Sequence, residues 1–199
     1  MTTPQILVLV GLFGCTPLEE RVELYGNGWC APTRTETSAC VLDGDTFDLV
    51  ECGIDDGDEG APERVRLIGI DAPEISHPGV AADCYGDEAT DELASVLAGR
   101  SLRLEFDESC SGAFGRTLAW VFIQGDTDDP LIADLETLDG LGIQEDGSFD
   151  LLINEWMVRA GHARLYENEE EHRYEARLYE AQRQAAVTGQ GLWGVCEES

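Results

Sequence analysis

Runs of apolar residues, some continuous and some alternating with polar ones, predict five β-strands in the central part of the chain. The first three are close together, at residues 41–42, 46–50 and 65–70, and turns or loops separate them. The fourth, at residues 102–106, alternates apolar and charged side chains, and the fifth is the nearly continuous apolar run at residues 116–123. The pattern therefore predicts a three-stranded meander followed by two further strands.

Helical spacing of apolar residues predicts about three α-helices around these strands. The first covers residues 87–99, and the second covers residues 155–160, where Asn154 is the predicted N-cap. The third carries an apolar stripe formed by Tyr174, Leu178, Ala181 and Ala185. One helix lies between the third and fourth strands, and the others follow the fifth. This order predicts an α+β fold, a five-stranded OB-fold β-barrel with packed α-helices.

Two acidic segments interrupt this pattern. Residues 52–63 form a predicted solvated loop, and calcium binding by its acids is the alternative. Residues 124–150 contain nine acids, no basic residue and little periodicity, which predicts an inserted surface loop rather than a second domain. One globular domain over residues 40–196 is therefore expected.

The charge of the chain is extreme. Its 199 residues include 41 acids and 12 basic residues, so the net charge is −29, and every basic residue is an arginine. A surface of this charge repels nucleic acid, and adaptation to salt or to solubility explains it without any specific role. A nucleic acid substrate would therefore have to be attracted locally, by a few arginines and a bound divalent cation.

The first residues are typical of an exported protein. An apolar run at residues 6–13 precedes Gly14 and Cys15, which predicts a signal peptide over residues 1–15 with a lipobox-like cysteine. A buried N-terminal strand is the alternative. Residues 16–39 form a predicted tether. The expected localisation is a bacterial cell envelope, with membrane attachment through a lipid on Cys15, or the extracellular space.

Seven cysteines agree with export, because disulfides persist in oxidising compartments. Without Cys15 an even number remains, and six cysteines allow about 15 pairings. They lack the C-x-x-C spacing of a zinc site, so disulfides are expected. Pairing of Cys84 with Cys196 is preferred, since it would attach the C-terminal segment to the domain.

The segment R-L-I-G-I-D-A-P-E, which begins at Arg66, contains the groups that phosphodiester hydrolysis needs. Asp71 in this segment and Asp45 in the turn before it are hard oxygen donors that suit Ca²⁺. Glu74 follows a proline turn and is the candidate general base. Arg66 and Arg116 can grip phosphate oxygens through planar guanidinium groups.

Three motifs together resemble the thermonuclease, or staphylococcal-nuclease-like, family. They are the D-G-D-T turn at residues 43–46, the R-L-x-x-I-D-x-P-E segment at residues 66–74 and the F-G-R triplet at residues 114–116. The resemblance extends from about residue 41 to residue 193. It implies a calcium-dependent nuclease that acts on DNA and RNA and leaves 3′-phosphate and 5′-hydroxyl ends. A monomer is expected.

The resemblance also implies roles for individual residues around a metal ion. Asp45, Asp71 and the backbone carbonyl of Ala72 would bind Ca²⁺. Thr46 would support the metal site through its hydroxyl or a water molecule, and Glu74 would activate the attacking water.

The remaining site residues would contact the substrate. Arg66 and Arg116 would stabilise the transition state. Phe114 replaces the usual tyrosine of the Y-G-R motif, and Tyr166 approximately represents the tyrosines that stack on the nucleotide. The alternatives to a nuclease are a non-catalytic nucleic-acid-binding module with this fold and an acidic, cation-binding envelope protein.

Overall fold

The computed structural model describes residues 30–37, 39–53, 61–79, 81–166 and 172–196. The predicted signal peptide with Cys15, most of the predicted tether and the middle of the first acidic loop lie outside the described residues. Across the described ranges, every helix is too short or too polar to cross a membrane.

The described residues form nine strands and five helices. In chain order the strands are β1 (Arg34–Glu36), β2 (Cys40–Asp43), β3 (Thr46–Asp48), β4 (Arg64–Leu67), β5 (Ile70–Asp71), β6 (Leu102–Glu105), β7 (Thr117–Gly125), β8 (Phe149–Leu152) and β9 (Arg164–Leu165). The helices are α1 (Gly86–Leu97), α2 (Ile132–Thr137), α3 (Ile153–Arg159), α4 (Glu175–Thr188) and α5 (Leu192–Val195). A 3₁₀ turn at Ala113–Gly115 precedes β7.

Seven of these strands form one sheet. Hydrogen-bonded neighbours follow the order β1-β6-β7-β4-β3-β2, and β8 pairs with β7. All neighbours are antiparallel except β4 and β7, which run parallel. β5 and β9 form a separate antiparallel pair. The predicted meander is therefore confirmed as β2-β3-β4.

The predicted α+β class, with helices packed on a sheet, is confirmed. The main sheet has seven strands where five were predicted, because the short strands β1 and β8 join it. Among the described strands the hydrogen-bonded pairs form an open path, so they do not by themselves close the predicted barrel. A single apolar core lies against the sheet, and Phe47 and Trp120 are completely buried in it.

The first predicted helix is confirmed as α1, which begins at Gly86 and ends at Leu97. The apolar residues that predicted it are the ones that it buries, namely Ala89, Leu93, Val96 and Leu97. The C-terminal stripe is likewise buried along α4, at Leu178, Ala181 and Ala185. Helical spacing alone identified the buried side of both helices, because each helix packs one apolar side against the core.

Asn154 does not cap a helix, which corrects the sequence prediction. The N-cap position of α3 is Leu152, and Asn154 lies inside the first turn, completely buried. Its side-chain oxygen accepts a hydrogen bond from the Val121 amide at 3.0 Å, and its side-chain nitrogen donates to the Ile68 carbonyl at 2.9 Å. The side chain thus joins the turn after β4 to β7. Buried backbone groups that have no partner in the sheet need a hydrogen bond from elsewhere, and the Asn154 amide supplies it.

The prediction of a surface loop over residues 124–150 is also wrong in part. Strand β7 extends to Gly125, α2 lies inside the segment, and Leu131, Leu135 and Leu138 are buried. The segment is attached to the domain by an ion pair of Arg100 with Asp129, whose closest atoms are 2.6 Å apart. It is a packed insertion, since its leucines bury enough apolar surface to order it despite its acidic surface.

Three disulfides connect the described cysteines. They join Cys30 to Cys110, Cys40 to Cys52, and Cys84 to Cys196. The predicted pairing of Cys84 with Cys196 is therefore confirmed. It closes the longest loop, with a sequence separation of 112, whereas the bridge from Cys40 to Cys52 spans 12.

The disulfides should contribute unequally to stability. Replacing Cys84 and Cys196 together with serine should lower the free energy of unfolding by roughly 4–5 kcal/mol, because a long loop loses more closure entropy in the unfolded chain. The matched replacement of Cys40 and Cys52 should cost about 3 kcal/mol. Equilibrium urea unfolding of both variants measures the difference. Equal losses would contradict this expectation.

Candidate active site

One cavity of about 400 Å³ lies where β3 begins and where β4 and β5 end, beside the 3₁₀ turn that precedes β7. Acidic side chains and arginines from segments far apart in the sequence line it. Seven of the predicted site residues are among its lining residues: Asp45, Thr46, Arg66, Asp71, Glu74, Arg116 and Tyr166. The fold therefore brings together residues as distant in the sequence as Asp45 and Tyr166, which are about 120 positions apart.

Antiparallel pairing of β3 with β4 positions Asp45 and Thr46 beside Arg66. Thr46 lies directly opposite Arg66 in this pair, and the Leu67 amide donates to the Asp45 carbonyl at 2.9 Å. In the turn before β3, a Cβ on Gly44 would lie 2.6 Å from the Cβ of Ala72. Glycine is needed there because the turn packs directly against the segment that follows β5.

Asp45 is the most enclosed carboxylate of the cavity, with only 9% of its side chain exposed. Its oxygens accept hydrogen bonds from the Thr46 hydroxyl and the Ala72 amide, both at 2.9 Å, and it forms an ion pair with Arg66. Burial raises the pKa of Asp45 to about 7, against the opposing effects of Arg66 and of the Ala72 hydrogen bond. The nearby carboxylate of Asp43 raises this pKa further.

Arg66 connects the two predicted metal ligands. Besides its ion pair with Asp45, its guanidinium donates to Asp71 Oδ1 at 3.0 Å. The arginine side chain is 14% exposed, whereas that of Asp71 is 59% exposed. Arg66 therefore lies between a buried and an exposed carboxylate at the floor of the cavity.

Several oxygen atoms on this side could hold a hard cation. Asp45 and Asp71 offer carboxylates, and Ala72 follows Asp71 directly in the chain. Within the described residues, however, no three acidic, histidine or cysteine side chains converge closely enough to form a complete site. A cation held here would have two carboxylate ligands and would need carbonyl, water or substrate oxygens to complete its coordination, which is common for Ca²⁺ and Mg²⁺.

Glu74 lies at the rim, with 62% of its side chain exposed. Its backbone is held on both sides by Asp83: the Asp83 amide donates to the Glu74 carbonyl at 2.9 Å, and the Glu74 amide donates to the Asp83 carboxylate at 3.3 Å. A Cβ on Gly86 would lie 2.4 Å from the Glu74 carbonyl oxygen, so this close approach needs glycine. His77 is the nearest basic side chain, 3.7 Å from the Glu74 carboxylate.

Arg116 reaches the cavity from the 3₁₀ turn on the opposite side. Its Nε donates to the Ala113 carbonyl at 3.2 Å, and its own carbonyl accepts from the Gly112 amide at 2.8 Å. Phe114 at the tip of the turn has a positive φ of 63° and a side chain that is 98% exposed. The phenylalanine ring lies beside the Arg116 guanidinium, 5.9 Å from its centre, and does not line the cavity.

Two further ionisable residues that line the cavity were not predicted as site residues. Asp43 lines it and accepts a hydrogen bond from the Asp45 amide at 3.1 Å. The Asp-Gly-Asp turn was a signal for this residue, because both acids flank the same glycine. His172 lines the opposite wall, and its Nδ1 lies 3.5 Å from the Asp107 carboxylate. No local pattern in the sequence indicated His172.

Comparisons with known proteins agree with the motifs. The family model described as Staphylococcal nuclease homologue matches residues 64–195. A thermonuclease of Staphylococcus hyicus is 29% identical over 153 residues, which cover 77% of this chain and 72% of that protein. A thermonuclease of Staphylococcus intermedius is 37% identical over 83 residues, 42% of this chain and 45% of that protein.

A third relative, named as an uncharacterized endonuclease of Escherichia coli O157:H7, is 28% identical over 153 residues, 77% of this chain and 72% of that protein. The family model covers most of the sheet, the whole of α1 to α5 and the segments that carry Arg66, Glu74 and Arg116. The resemblance predicted from the motifs is thereby confirmed, and the chain belongs to the staphylococcal nuclease family.

Proposed function

We propose that this protein is a calcium-dependent nuclease that hydrolyses phosphodiester bonds of DNA and RNA, leaving 3′-phosphate and 5′-hydroxyl ends. The observation that carries the proposal is the convergence, around one cavity of about 400 Å³, of the three carboxylates and two arginines that the motifs predicted. The carboxylates belong to Asp45, Asp71 and Glu74, and the arginines are Arg66 and Arg116. Hydrolysis of a phosphodiester needs a proton acceptor for water and positive charge around the phosphate.

The oxygen ligands proposed for Ca²⁺ are the carboxylates of Asp45 and Asp71 and the backbone carbonyl of Ala72, with Thr46 supporting Asp45 through its hydroxyl. A donor set made only of oxygens suits a hard cation better than a transition metal. The buried carboxyl of Asp45, whose pKa burial raises to about 7, becomes easier to ionise beside a cation. When bound, the ion would supply Lewis-acid polarisation of the phosphate oxygens.

Glu74 is the proposed general base. Its carboxylate is exposed at the rim of the cavity, where water has access, and Asp83 holds its backbone in place. As a water oxygen forms a bond to phosphorus, the water proton passes to Glu74 and the P–O bond to the 5′ oxygen breaks. The bonding electrons stay on the 5′ oxygen, which takes a proton from solvent and leaves as the 5′-hydroxyl. Arg66 and Arg116 would balance the negative charge that gathers on the phosphate oxygens during this step.

Substrate contacts are proposed at Tyr166 and Phe114. Tyr166 lines the cavity and is 51% exposed, so its ring is available for stacking on a base. The fully solvated ring of Phe114 lies outside the cavity and could contact only a part of the substrate that extends past Arg116. DNA and RNA are both proposed substrates because single-stranded binding through stacking does not depend on the sugar.

We also propose export of this protein and its action as a monomer. The six cysteines of the described residues form three disulfides among themselves, which fits an oxidising compartment. This pairing leaves Cys15, outside the described residues, available for the proposed lipid anchor in a cell envelope. Recovery of the protein from the cytosol with reduced cysteines would contradict the proposal.

Replacing the proposed base should strongly reduce cleavage while binding of the substrate is retained. For Glu74→Gln we expect kcat to fall by on the order of a hundredfold or more, because glutamine cannot accept the proton of water. Digestion of single-stranded DNA with Ca²⁺ and with EGTA, followed by analysis of the end groups, measures this. The control is Glu136→Gln. Glu136 is an exposed residue of α2 that does not line the cavity, so this variant should retain activity.

The same assay separates the alternative functions. The unmodified protein could bind single-stranded DNA without cleaving it at any calcium concentration. This result would support the alternative of a non-catalytic nucleic-acid-binding module. Neither binding nor cleavage would leave an acidic, cation-binding envelope protein. Unchanged turnover of the Glu74→Gln variant would reject Glu74 as the base.

Removal of the Arg116 side chain should affect the transition state more than the bound substrate. For Arg116→Ala we expect kcat to fall by on the order of a hundredfold, with a much smaller change in the dissociation constant of single-stranded DNA. Arg183→Ala is a suitable control because Arg183 is exposed on α4 and paired with Glu180. Equal losses in kcat and in affinity would indicate simple substrate binding by Arg116.

Calcium affinity should increase as the pH rises toward neutrality. Because burial raises the pKa of Asp45 to about 7, this carboxyl holds a proton below that pH, and calcium must displace it. The affinity should therefore fall by up to tenfold per pH unit below about pH 7 and change little above it. Isothermal titration calorimetry measures both the affinity and the released proton.

Without bound metal, the contribution of Asp45 to folding stability should depend on pH in the opposite direction to the calcium affinity. Between the ordinary pKa of 3.8 and about 7, folded Asp45 holds a proton that the unfolded chain has lost, so its contribution to stability declines as the pH rises. In Asp45→Asn both dependences should disappear, whereas the exposed Asp128→Asn should keep them. A calcium affinity that is independent of pH would contradict the role of Asp45.

A further inference from the structure

Nearly all arginines of the described residues are neutralised by acids. Eleven of the chain's 12 arginines are described, and nine of these form ion pairs with carboxylates. Within the described ranges, the two that form none are Arg116 and Arg164. In a chain with 41 acids, an arginine without a carboxylate partner among the described residues is exceptional. One of the two, Arg116, already lines the cavity.

Arg164 lies next to the same cavity. It belongs to β9 and is directly opposite Asp71 in the antiparallel pair of β9 with β5. Residues directly opposite in such a pair have side chains on the same face of the sheet, and Asp71 lines the cavity. Tyr166, two residues further along, also lines it, and the Tyr166 amide extends the pairing by donating to the Gly69 carbonyl at 2.9 Å. Arg164 therefore flanks the cavity on the side of Asp71.

The side chain of Arg164 stacks on an aromatic ring instead of pairing with the acid opposite. Its guanidinium carbon lies 4.2 Å from the centre of the Trp193 ring. Opposite charges placed across two strands usually attract each other, yet Asp71 is paired with Arg66 and not with Arg164. Stacking covers one face of the planar guanidinium and leaves the N–H groups around its edge directed outward, where they can bind an oxyanion.

The ring beneath Arg164 is held firmly. Trp193 is half-buried in α5, which is attached at one end by a hydrogen bond from the Leu192 amide to the Gly161 carbonyl at 2.9 Å. At its other end Cys196 is joined to Cys84 by a disulfide. A fixed platform reduces the conformational entropy that the arginine loses when it binds a ligand.

We propose that Arg164, stacked on Trp193, is a second phosphate-binding position that holds the phosphate of a nucleotide adjacent to the bond that is cleaved. This inference rests on the proposed nuclease function. In a protein of net charge −29, Arg164 is, with Arg116, a second arginine beside the cavity that has no carboxylate partner among the described residues. It provides local attraction for a polyanion that the rest of the surface repels. The position requires a substrate longer than one phosphodiester unit.

Arg164→Ala should therefore weaken action on long substrates much more than on short ones. For single-stranded oligonucleotides of about ten residues we expect KM to rise about fivefold to tenfold, with the loss at least several-fold smaller for a dinucleotide, which has one phosphodiester. The slope of log affinity against log salt concentration should decrease by about 0.7, the value for one phosphate contact on a single strand. Arg164→Lys should preserve the salt slope because it keeps the charge, and it should recover only part of the affinity because it loses the planar stack.

The matched control is Arg183→Ala. This change also removes one positive charge from an exposed helix, but Arg183 is paired with Glu180 and belongs to the far part of α4. We expect KM, its dependence on substrate length and the salt slope to remain as in the unmodified protein. Affinities are measured by fluorescence anisotropy with labelled oligonucleotides in the Glu74→Gln background, and KM is measured in the active protein.

The outcomes distinguish the two proposals. Cleavage by the unmodified protein together with the length-dependent loss in Arg164→Ala supports the second phosphate position. Cleavage with equal losses for long and short substrates, or with the same loss in Arg183→Ala, overturns it and leaves the nuclease function intact. Absence of cleavage by the unmodified protein at every substrate length and calcium concentration overturns the nuclease function, and the second position with it.

Discussion

The buried carboxylate of Asp45 is the constraint on which the geometry of the cavity depends. It is almost enclosed by protein, and it draws its partners from three segments: Thr46 in β3, Arg66 in β4 and the Ala72 amide after β5. These partners offset part of the cost of enclosing the group, because a buried carboxylate without partners costs several kcal/mol. The requirement to satisfy this one group therefore fixes the relative positions of the ends of these strands, and Asp71 and Glu74 follow on the same segment.

The distribution of charge explains how an acidic protein can present a site for a polyanion. Most described arginines form ion pairs with carboxylates. Their positive charge is neutralised locally, so they contribute little to the attraction of a polyanion. Disulfides reinforce the segments around the cavity: Cys40 and Cys52 bracket the hairpin of Asp45, and Cys84 follows Asp83, which holds Glu74. Covalent bridges are useful here because like charges repel one another across the folded surface.

The sequence by itself was sufficient for features that depend on neighbouring residues. Turn residues and alternation predicted the meander β2-β3-β4, helical spacing predicted α1, and three short motifs predicted the family. The same motifs predicted Asp45, Arg66, Asp71, Glu74 and Arg116 as a group, and the fold brings these residues around one cavity. Local patterns reveal such features because turn chemistry and periodicity act over a few residues.

Only the tertiary structure decided the contacts between distant segments. It placed Asn154, a predicted cap, between β7 and the turn that follows β4, and it buried Leu135 and its neighbours inside an acidic segment. It also brought His172 into the cavity wall and stacked Arg164 on Trp193. The sequence around each residue contains no sign of its partner, which lies tens of residues away. Burial and hydrogen-bond satisfaction, which are properties of the packed domain, determined these positions.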